Sequence, residues 1–532
     1  KDYIKLARVK GLSSRSIMVK HVLRNAFVPI AQYLPQSMLL TIGGSLLVER
    51  FFSVPGMGPL LTDSIQRYDT SVVQTLVMLY ASLSILGVFL GDVLMIEGLD
   101  KATIQNYADA GAFYDLTPYF ESQDTNLEKL SEEIGEDLVA AIKTATGEIW
   151  AYPDYYPETN NMTKYRAWIN QTWLDNLGLE MPTTPEELYT VLKAFKEQDA
   201  NGNGDPDDEI PMLGAPSWSA DPCVYLTNAF VYWDDVEDLI ITDGKIDAAY
   251  VQEGYKEALT YMNRLVSEGL LAPETFTITE GQYREYLSTE TPTVGVCFYT
   301  HLGFVGPTDE NKNQYQYMPY LIGADGKQRV SYQPYDISVM SHCYIPTSAK
   351  DPDLSFDFIN WLFSEETYVR ARFGVEGAHY DKVDDPETLE LLKSNHPYAI
   401  MEYDNGWGES NNMSWQNTFG CFTGSSWMCQ WNGDPNYYFY KRVVAVDDMM
   451  SKVPGVGEYV PSLTYTAEET EQYNELKNNI STFWKEYRTR FILGELNIET
   501  EWQSYLDTLY NDLHLEDYLA IVQGAYDRQF GA

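Results

Sequence analysis

Pro182 to Asp199 reads PTTPEELYTVLKAFKEQD, and it carries a complete helix start. Thr184 stands at the N-cap, Pro185 at the first helical position and Glu187 three residues after the cap. A threonine hydroxyl and a glutamate carboxylate so spaced satisfy each other's free backbone N–H groups, and proline loses nothing where its N–H has no helical partner. Upstream, GDVLMIEGLDKATIQNYADAGAFYDLTPYF from Gly91 reads as a strand, a short turn and an amphipathic helix. Downstream, TPTVGVCFY (291–299) is a short apolar strand, and DPDLSFDFINWLFSEETYVRARFG (351–374) is an amphipathic helix stopped at Gly374. From about Glu468 the chain is mostly helical, with NELKNNISTFWKEYRTRFI the clearest period. Strands alternating with helices predict an α/β body. There is no internal repeat and no low-complexity linker.

The residues that follow the opening helix, DANGNGDPDDEI (199–210), place oxygen side chains at every second position: Asp199, Asn201, Asn203, Asp205 and Asp207. Gly204 is sixth, where a wound calcium loop needs glycine for its sharp turn. Calcium takes six to eight oxygens, so it is the expected cofactor. The twelfth position is Ile210 rather than a glutamate, so the closing carboxylates must come from Asp207, Asp208 or Glu209. The expected ligands are Asp199, Asn201, Asn203, Asp205, Asp208 and Glu209. A solvated acidic turn is the alternative reading of the same Asn, Gly and Asp content.

At 532 residues the chain holds about three and a half domains at ~150 residues each. Its net charge is −42, which excludes a nucleic-acid binder, since that function needs a basic face. The charge is unevenly spread. Residues 1–100 hold nine Lys/Arg and seven Asp/Glu, whereas residues 101–532 hold 27 and 71. The first 24 residues alone hold seven basic side chains and one acidic. Asn25–Val48 and Thr70–Gly91 carry no charge over 24 and 22 residues, long enough for the ~20 that span a bilayer. Two transmembrane helices with an external loop are therefore expected within 25–96. The basic stretch 1–24 belongs on the cytoplasmic side by the positive-inside rule.

Cys223, Cys297, Cys343, Cys421 and Cys429 are odd in number and widely spread, so they read as buried small residues rather than a disulfide framework. Aromatics crowd into WAYPDYYP (150–157), and Trp407, Trp415, Trp427 and Trp431 fall in Gly/Asn/Ser-rich sequence, as do Trp218 and Trp233. Flat rings in such loops line clefts more often than rings at regular helix or strand spacing do. Trp150, Tyr155, Trp218, Trp407, Trp415 and Trp427 are the candidate lining, with Arg166 as a hydrogen-bond donor. The six histidines are scattered, and HExxH, GxxxxGK[ST] and GxSxG are all missing from the sequence, so no enzyme is expected. A glycoside hydrolase is the remote alternative, because two carboxylates far apart in sequence can meet in space.

Two resemblances account for the split. DYIKLARVKGLSSRSIMVKHVLRNAFVPI (2–30) resembles the cytoplasmic coupling loop of an ABC importer permease of the dipeptide/oligopeptide/nickel type, and VERFFSVPGMGPLLTDSIQRYD (48–69) resembles that family's last external loop. This implies an ABC ATPase subunit and a second permease as partners, with Ala7 and Gly11 at ATPase-coupling positions. GEIWAYPDYYP, YRAWINQTWLDNLGL, DANGNGDPDDEIP, FINWLFSEETYVRARFGVEGAHY and the segment from RFILGELNIETEWQSYL to the end resemble an extracellular solute-binding protein of the sugar type. That resemblance implies a type II two-lobed fold over 92–532, a small-molecule solute (oligosaccharide or peptide), calcium in a structural role at 199–209 and a position for Glu376 near the ligand cleft. It also implies that this body lacks its first lobe-one elements. The permease part is expected in the cell membrane and the parent of the body on its extracellular face. A body starting on the cytoplasmic side of the second span cannot collect external solute, so the union reads as a chimera. A genuine fusion importing peptides is the alternative.

Overall fold

The computed structural model describes residues 107–134, 137–144, 147–153, 159–205, 207–334, 341–393, 397–402, 438–455, 457–463 and 465–531, with single positions at 64, 72, 74, 94, 95 and 104. The expected transmembrane hairpin, with Ala7 and Gly11, lies outside them, as do Tyr155, Trp407, Trp415, Trp427, Trp431, Cys421 and Cys429. No helix among the described residues is long and apolar enough to cross a membrane.

The strands, in chain order, are β1 (Leu94–Met95), β2 (Tyr152–Pro153), β3 (Ala167–Asn170), β4 (Ile210–Met212), β5 (Leu239–Thr242), β6 (Lys245–Ala248), β7 (Val294–Phe298), β8 (Tyr315–Met318), β9 (Ser341–Tyr344), β10 (Tyr380–Val383) and β11 (Ala399–Glu402). The chain divides into two compact units. Within the described residues one takes 94–153 and 341–368, and the other takes 159–334, 369–402 and 438–531.

In the first unit β9 pairs antiparallel with β1 and β2, in the register Leu94↔Tyr344 and Tyr152↔Cys343. The strand expected at GDVLMI is thus present at its two described residues. Helices Thr117–Ser122, Asn126–Ile134 and Pro352–Leu362 belong to the same unit. Tyr152 is fully buried against Phe120, Phe356 and Phe363, with ring centroids 4.5–6.0 Å away. Its hydroxyl accepts from Leu127 N at 3.0 Å and donates to Asn360 Oδ1 at 2.9 Å, so the phenol is not left unsatisfied in an apolar core.

The long helix expected over 351–374 is two helices, Pro352–Leu362 and Glu365–Phe373. Ser364 causes the break. Its Oγ accepts from Thr367 N, an N-cap bond that restarts the helix, while Phe363 closes the first one. The second helix does end at Gly374, with φ +88°.

In the second unit the sheet order is β4-β7-β3-β8. β7 runs parallel to β4 and antiparallel to β3, and β3 runs antiparallel to β8. Every residue of β3 and β7 is buried. Ala167, Ile169, Val296 and Phe298 join one apolar cluster, while Trp168 and Cys297 join another, so the sheet is covered on both faces. Helix Pro185–Glu197 forms with the full Thr184–Glu187 capping box, and Leu188, Val191, Leu192 and Phe195 are its buried face. Gly295 is where that helix meets β7. A Cβ there would lie 2.5 Å from Phe195 Cδ2 and 2.9 Å from Trp173 Cζ3. The β5–β6 hairpin turns through Asp243 and Gly244, both with positive φ. Helices Ala467–Ile492, Ile498–Asp507 and Leu515–Phe530 complete this unit with Glu253–Ser267. Cys223, Cys297 and Cys343 are buried, as their residue type predicts.

Candidate ligand face and acidic loop

Sheet order places Trp218. β4 continues through Leu213, which is buried, into a tight loop in which Ala215 N donates to Ala220 O and Ser217 N to Ala215 O. The loop lifts Trp218 out until half its surface is exposed. Tyr299, the residue after β7, stands beneath it with ring centroids 6.3 Å apart and planes at 80°. Tyr299 is itself held on three sides. Its hydroxyl donates to Glu280 Oε1 at 2.6 Å and accepts from Arg284 Nη2 at 3.0 Å, and its ring packs edge-on against Phe304. Arg284 in turn lies 3.7 Å over the Phe304 ring. Such clamping costs Tyr299 its rotamer freedom in advance, so Trp218 rests on a fixed base.

Lys164 forms the other side. Its Nζ lies 5.9 Å from the Trp218 ring centroid and 5.2 Å from that of Tyr165. The Tyr165 hydroxyl donates to Asp235 Oδ2. Partial burial holds the Lys164 ammonium below its ordinary pKa, with Asp235 opposing the shift. Asp235 belongs to a turn, 234–238, whose Asp234 carboxylate accepts from the backbone N–H of Val236, Glu237 and Asp238 at 2.8–3.1 Å. Asp235 and Asp238 adopt positive φ there. Burial pushes the Asp234, Asp235 and Asp238 carboxyls all above their ordinary values.

Arg166, expected to meet ligand, is fully buried. Its Nη1 donates to the carbonyl of Thr300, whose own N–H is held by Ser219 Oγ, so it braces the base of the Trp218 loop. His301 is half-buried beside Tyr299 and Phe304, and accepts from Gly303 N at 3.0 Å. Enclosure, with Arg442, Arg166 and Arg284 nearby, lowers its pKa to about 3, so it is neutral at pH 7.

The remaining expected residues disperse. Trp150 belongs to the first unit, packed on Ile104, Phe113, Ala151 and Tyr344, with a buried indole N–H that meets no acceptor. Trp233 is core, stacked on Tyr255 at 5.1 Å and edge-on to Trp484. Glu376 is exposed in a tight loop closed by Gly377 N to Tyr380 O and by Val375 N to His379 Nδ1. The neighbouring glycines and backbone bonds hold this loop without the Glu376 side chain.

The acidic loop winds as its spacing predicts. Asp199 accepts from the N–H groups of Asn203 and Gly204 at 3.1 and 2.9 Å. Asn201 and Asn203 oxygens accept from the N–H two residues on. Asp208 folds back to the Asn201 and Asn203 amides at 2.9 and 2.7 Å, and Glu209 Oε1 accepts from Asn201 N at 3.3 Å. Gly202 and Gly204 take φ +72° and +93°. Glu209 Oε2 is buried without a partner, and burial raises the Glu209 carboxyl's pKa. A buried, unpartnered carboxylate oxygen in a loop wound with side-chain oxygens at every second position fits a hard cation. Asp207 stays out of this fold-back among the described residues, where its own N–H donates to Asp205 Oδ1 at 3.2 Å. Among the described residues no cluster of three or more His, Cys, Asp or Glu is already drawn together at ligating distance.

Residues 90–369 match the family described as bacterial extracellular solute-binding protein, which is more than half of the chain. The chain belongs to the bacterial extracellular solute-binding protein family. Residues 1–96 match a second family, the inner membrane component of binding-protein-dependent transport systems, so a permease segment precedes the solute-binding body. Among relatives, the fructooligosaccharide ABC transporter substrate-binding protein FusA of Streptococcus pneumoniae serotype 4 is 26% identical over 82% of this chain and 80% of its own length. The oligopeptide transport permease AmiC of the same organism is 40% identical over 18% of this chain, which spans 19% of AmiC. In structure, S. pneumoniae FusA in complex with kestose aligns with a TM-score of 0.67 at 23% identity, over 84% of this chain and 90% of that one. An EF-hand mutant of FusA with fructo-nystose aligns at 0.66 and 22%, over 82% and 87%. The body therefore has the solute-binding-protein fold. These relatives are transport components, not enzymes.

In this solute-binding protein the sequence pointed to Trp218 and missed what flanks it. Lys164 is a single lysine before a buried strand, with no pattern of its own, and Asp235 lies 71 residues further along the chain.

Proposed function

We propose that residues 92–532 bind a neutral oligosaccharide for an ABC importer, and that calcium held by Asp199, Asn201, Asn203, Asp205, Asp208 and Glu209 stiffens the loop after helix Pro185–Glu197. The observation that carries the sugar reading is Trp218: an indole half exposed on a clamped Tyr299. A sugar ring offers a face of C–H bonds that such an indole buries and an edge of hydroxyls that polar neighbours bond. FusA, the relative above, is a fructooligosaccharide protein, and one of its forms is an EF-hand mutant. Arg166 serves this site from below, and Glu376, Trp150, Tyr155, Trp407, Trp415 and Trp427 are the further candidates. Residues 1–24 would couple to an ABC ATPase through Ala7 and Gly11, and 25–96 would hold two transmembrane helices beside a partner permease. The test is calorimetric titration of the full chain in detergent with kestose, other neutral oligosaccharides and peptides. Binding of an oligosaccharide, lost in Trp218→Ala, supports the reading. Binding of peptides alone overturns it in favour of a peptide importer.

A further inference from the structure

Lys164 has no hydrogen bond and no ion pair among the described residues, although its side chain is half-buried. Two ring faces surround the ammonium instead. The acid whose charge acts on it, Asp235, is engaged by the Tyr165 hydroxyl. Ring faces attract a cation but accept none of its N–H bonds in the plain sense, so up to three donors remain open to an acceptor that enters beside Trp218. A cation left in this state in a partly desolvated place is costly unless an acceptor arrives. Two neighbouring cations are engaged: Arg284 by Glu280 and Tyr299, and Arg166 by Thr300 O.

We infer that Lys164 is the residue that sets ligand specificity on this face, donating to the hydroxyl or ring oxygens of a sugar stacked on Trp218 and rejecting sugars that carry a cation. This rests on the oligosaccharide reading above. It adds a charge preference to that reading: this contact admits anionic sugars beside neutral ones and turns away only cationic ones. Trp218 supplies area, which every pyranose or furanose satisfies alike, whereas Lys164 supplies one fixed positive charge with acceptor-seeking donors, which tells ligands apart. The ligand class is then a neutral or anionic oligosaccharide, and amino-sugar oligomers are excluded.

The test uses the full chain in detergent, titrated with kestose, an oligogalacturonate and a de-N-acetylated chitosan oligomer. The wild type should bind at least one of the first two and not the third. Lys164→Met should weaken that binding about 10-fold or more, the scale of a lost charged hydrogen bond, and should relax the rejection of chitosan. Lys164→Arg keeps the charge and should retain most of the affinity, which a purely structural role for the side chain would not predict. Unchanged affinity and charge preference in a folded Lys164→Met protein would overturn the inference while leaving the oligosaccharide reading intact. Tighter chitosan than kestose binding by the wild type would overturn it too. If no sugar binds the wild type, the oligosaccharide reading falls and this inference falls with it.

Discussion

Withdrawing calcium is expected to loosen the 199–209 loop and lower the stability of the body. Five carboxylates lie within these eleven residues, and among the described residues their negative charge is countered only by N–H groups and the Asn201 and Asn203 amides. No lysine or arginine interrupts them. A divalent cation removes that repulsion and gives the buried Glu209 Oε2 a partner. An ion that binds the folded state alone adds about 2.7 kcal/mol when present at a hundred times its dissociation constant. Unfolding a body of roughly 440 residues carries an entropy near 2.1 cal/mol/K per residue, or about 0.9 kcal/mol/K in all. Chelation should then lower Tm by about 3 °C, and by more if the second unit melts separately. The assay is differential scanning calorimetry of the full chain in detergent, with calcium and with chelator, beside elemental analysis of the purified protein. Asp208→Asn removes one charge and should reduce the calcium-dependent shift. Superimposable melts with no calcium in the elemental analysis would refute the cation reading and leave an ordinary acidic turn.

Other expectations are shorter to state. His301, neutral in the fold with its pKa near 3, leaves the unfolded chain free to take a proton near pH 6.5. Its share of stability is therefore complete above pH 6.5 and is lost as pH falls toward 3, at up to about 1.4 kcal/mol per pH unit. Urea melts of His301→Gln should show a shallower acid dependence over that window, and an identical slope would contradict the assignment. Gly295→Ala should cost about 1–3 kcal/mol, since its Cβ has nowhere to go between Phe195, Trp173 and Pro211 O; an unchanged urea midpoint would show that helix Pro185–Glu197 can shift. Thr184→Ala should cost about 1 kcal/mol in the same measurement, the value of its cap, and Thr184→Ser should restore most of it.

Sequence alone determined whatever is set by neighbours along the chain. The Thr184–Glu187 box, the turns at Gly204 and Gly374, the apolar β7 and the long C-terminal helix all follow from residues within a few positions of one another, because caps, left-handed glycines and periodicity are local physics. The winding of the acidic loop was legible for the same reason, whereas the sequence left open which of Asp207, Asp208 and Glu209 closes it, and in the structure Asp208 and Glu209 fold back. The break at Ser364 was local as well, but its single capping oxygen is a weak signal inside a strong apolar pattern. Tertiary structure decided which aromatics are surface and which are core. Trp218 and Trp233 lie in similar sequence, yet one rides an exposed loop between β4 and a helix while the other is sealed between Tyr255 and Trp484. Their exposure depends on residues 81 and 251 positions away, Tyr299 and Trp484, which local composition does not encode. Arg166 went inside for that reason too: its acceptor is the Thr300 carbonyl, brought to it by the pairing of β3 with β7. Lys164 owes its place beside Trp218 to that same sheet, because the order β4-β7-β3, with β3 antiparallel to β7 and β4 parallel to it, carries the two chain segments to one end of the strands.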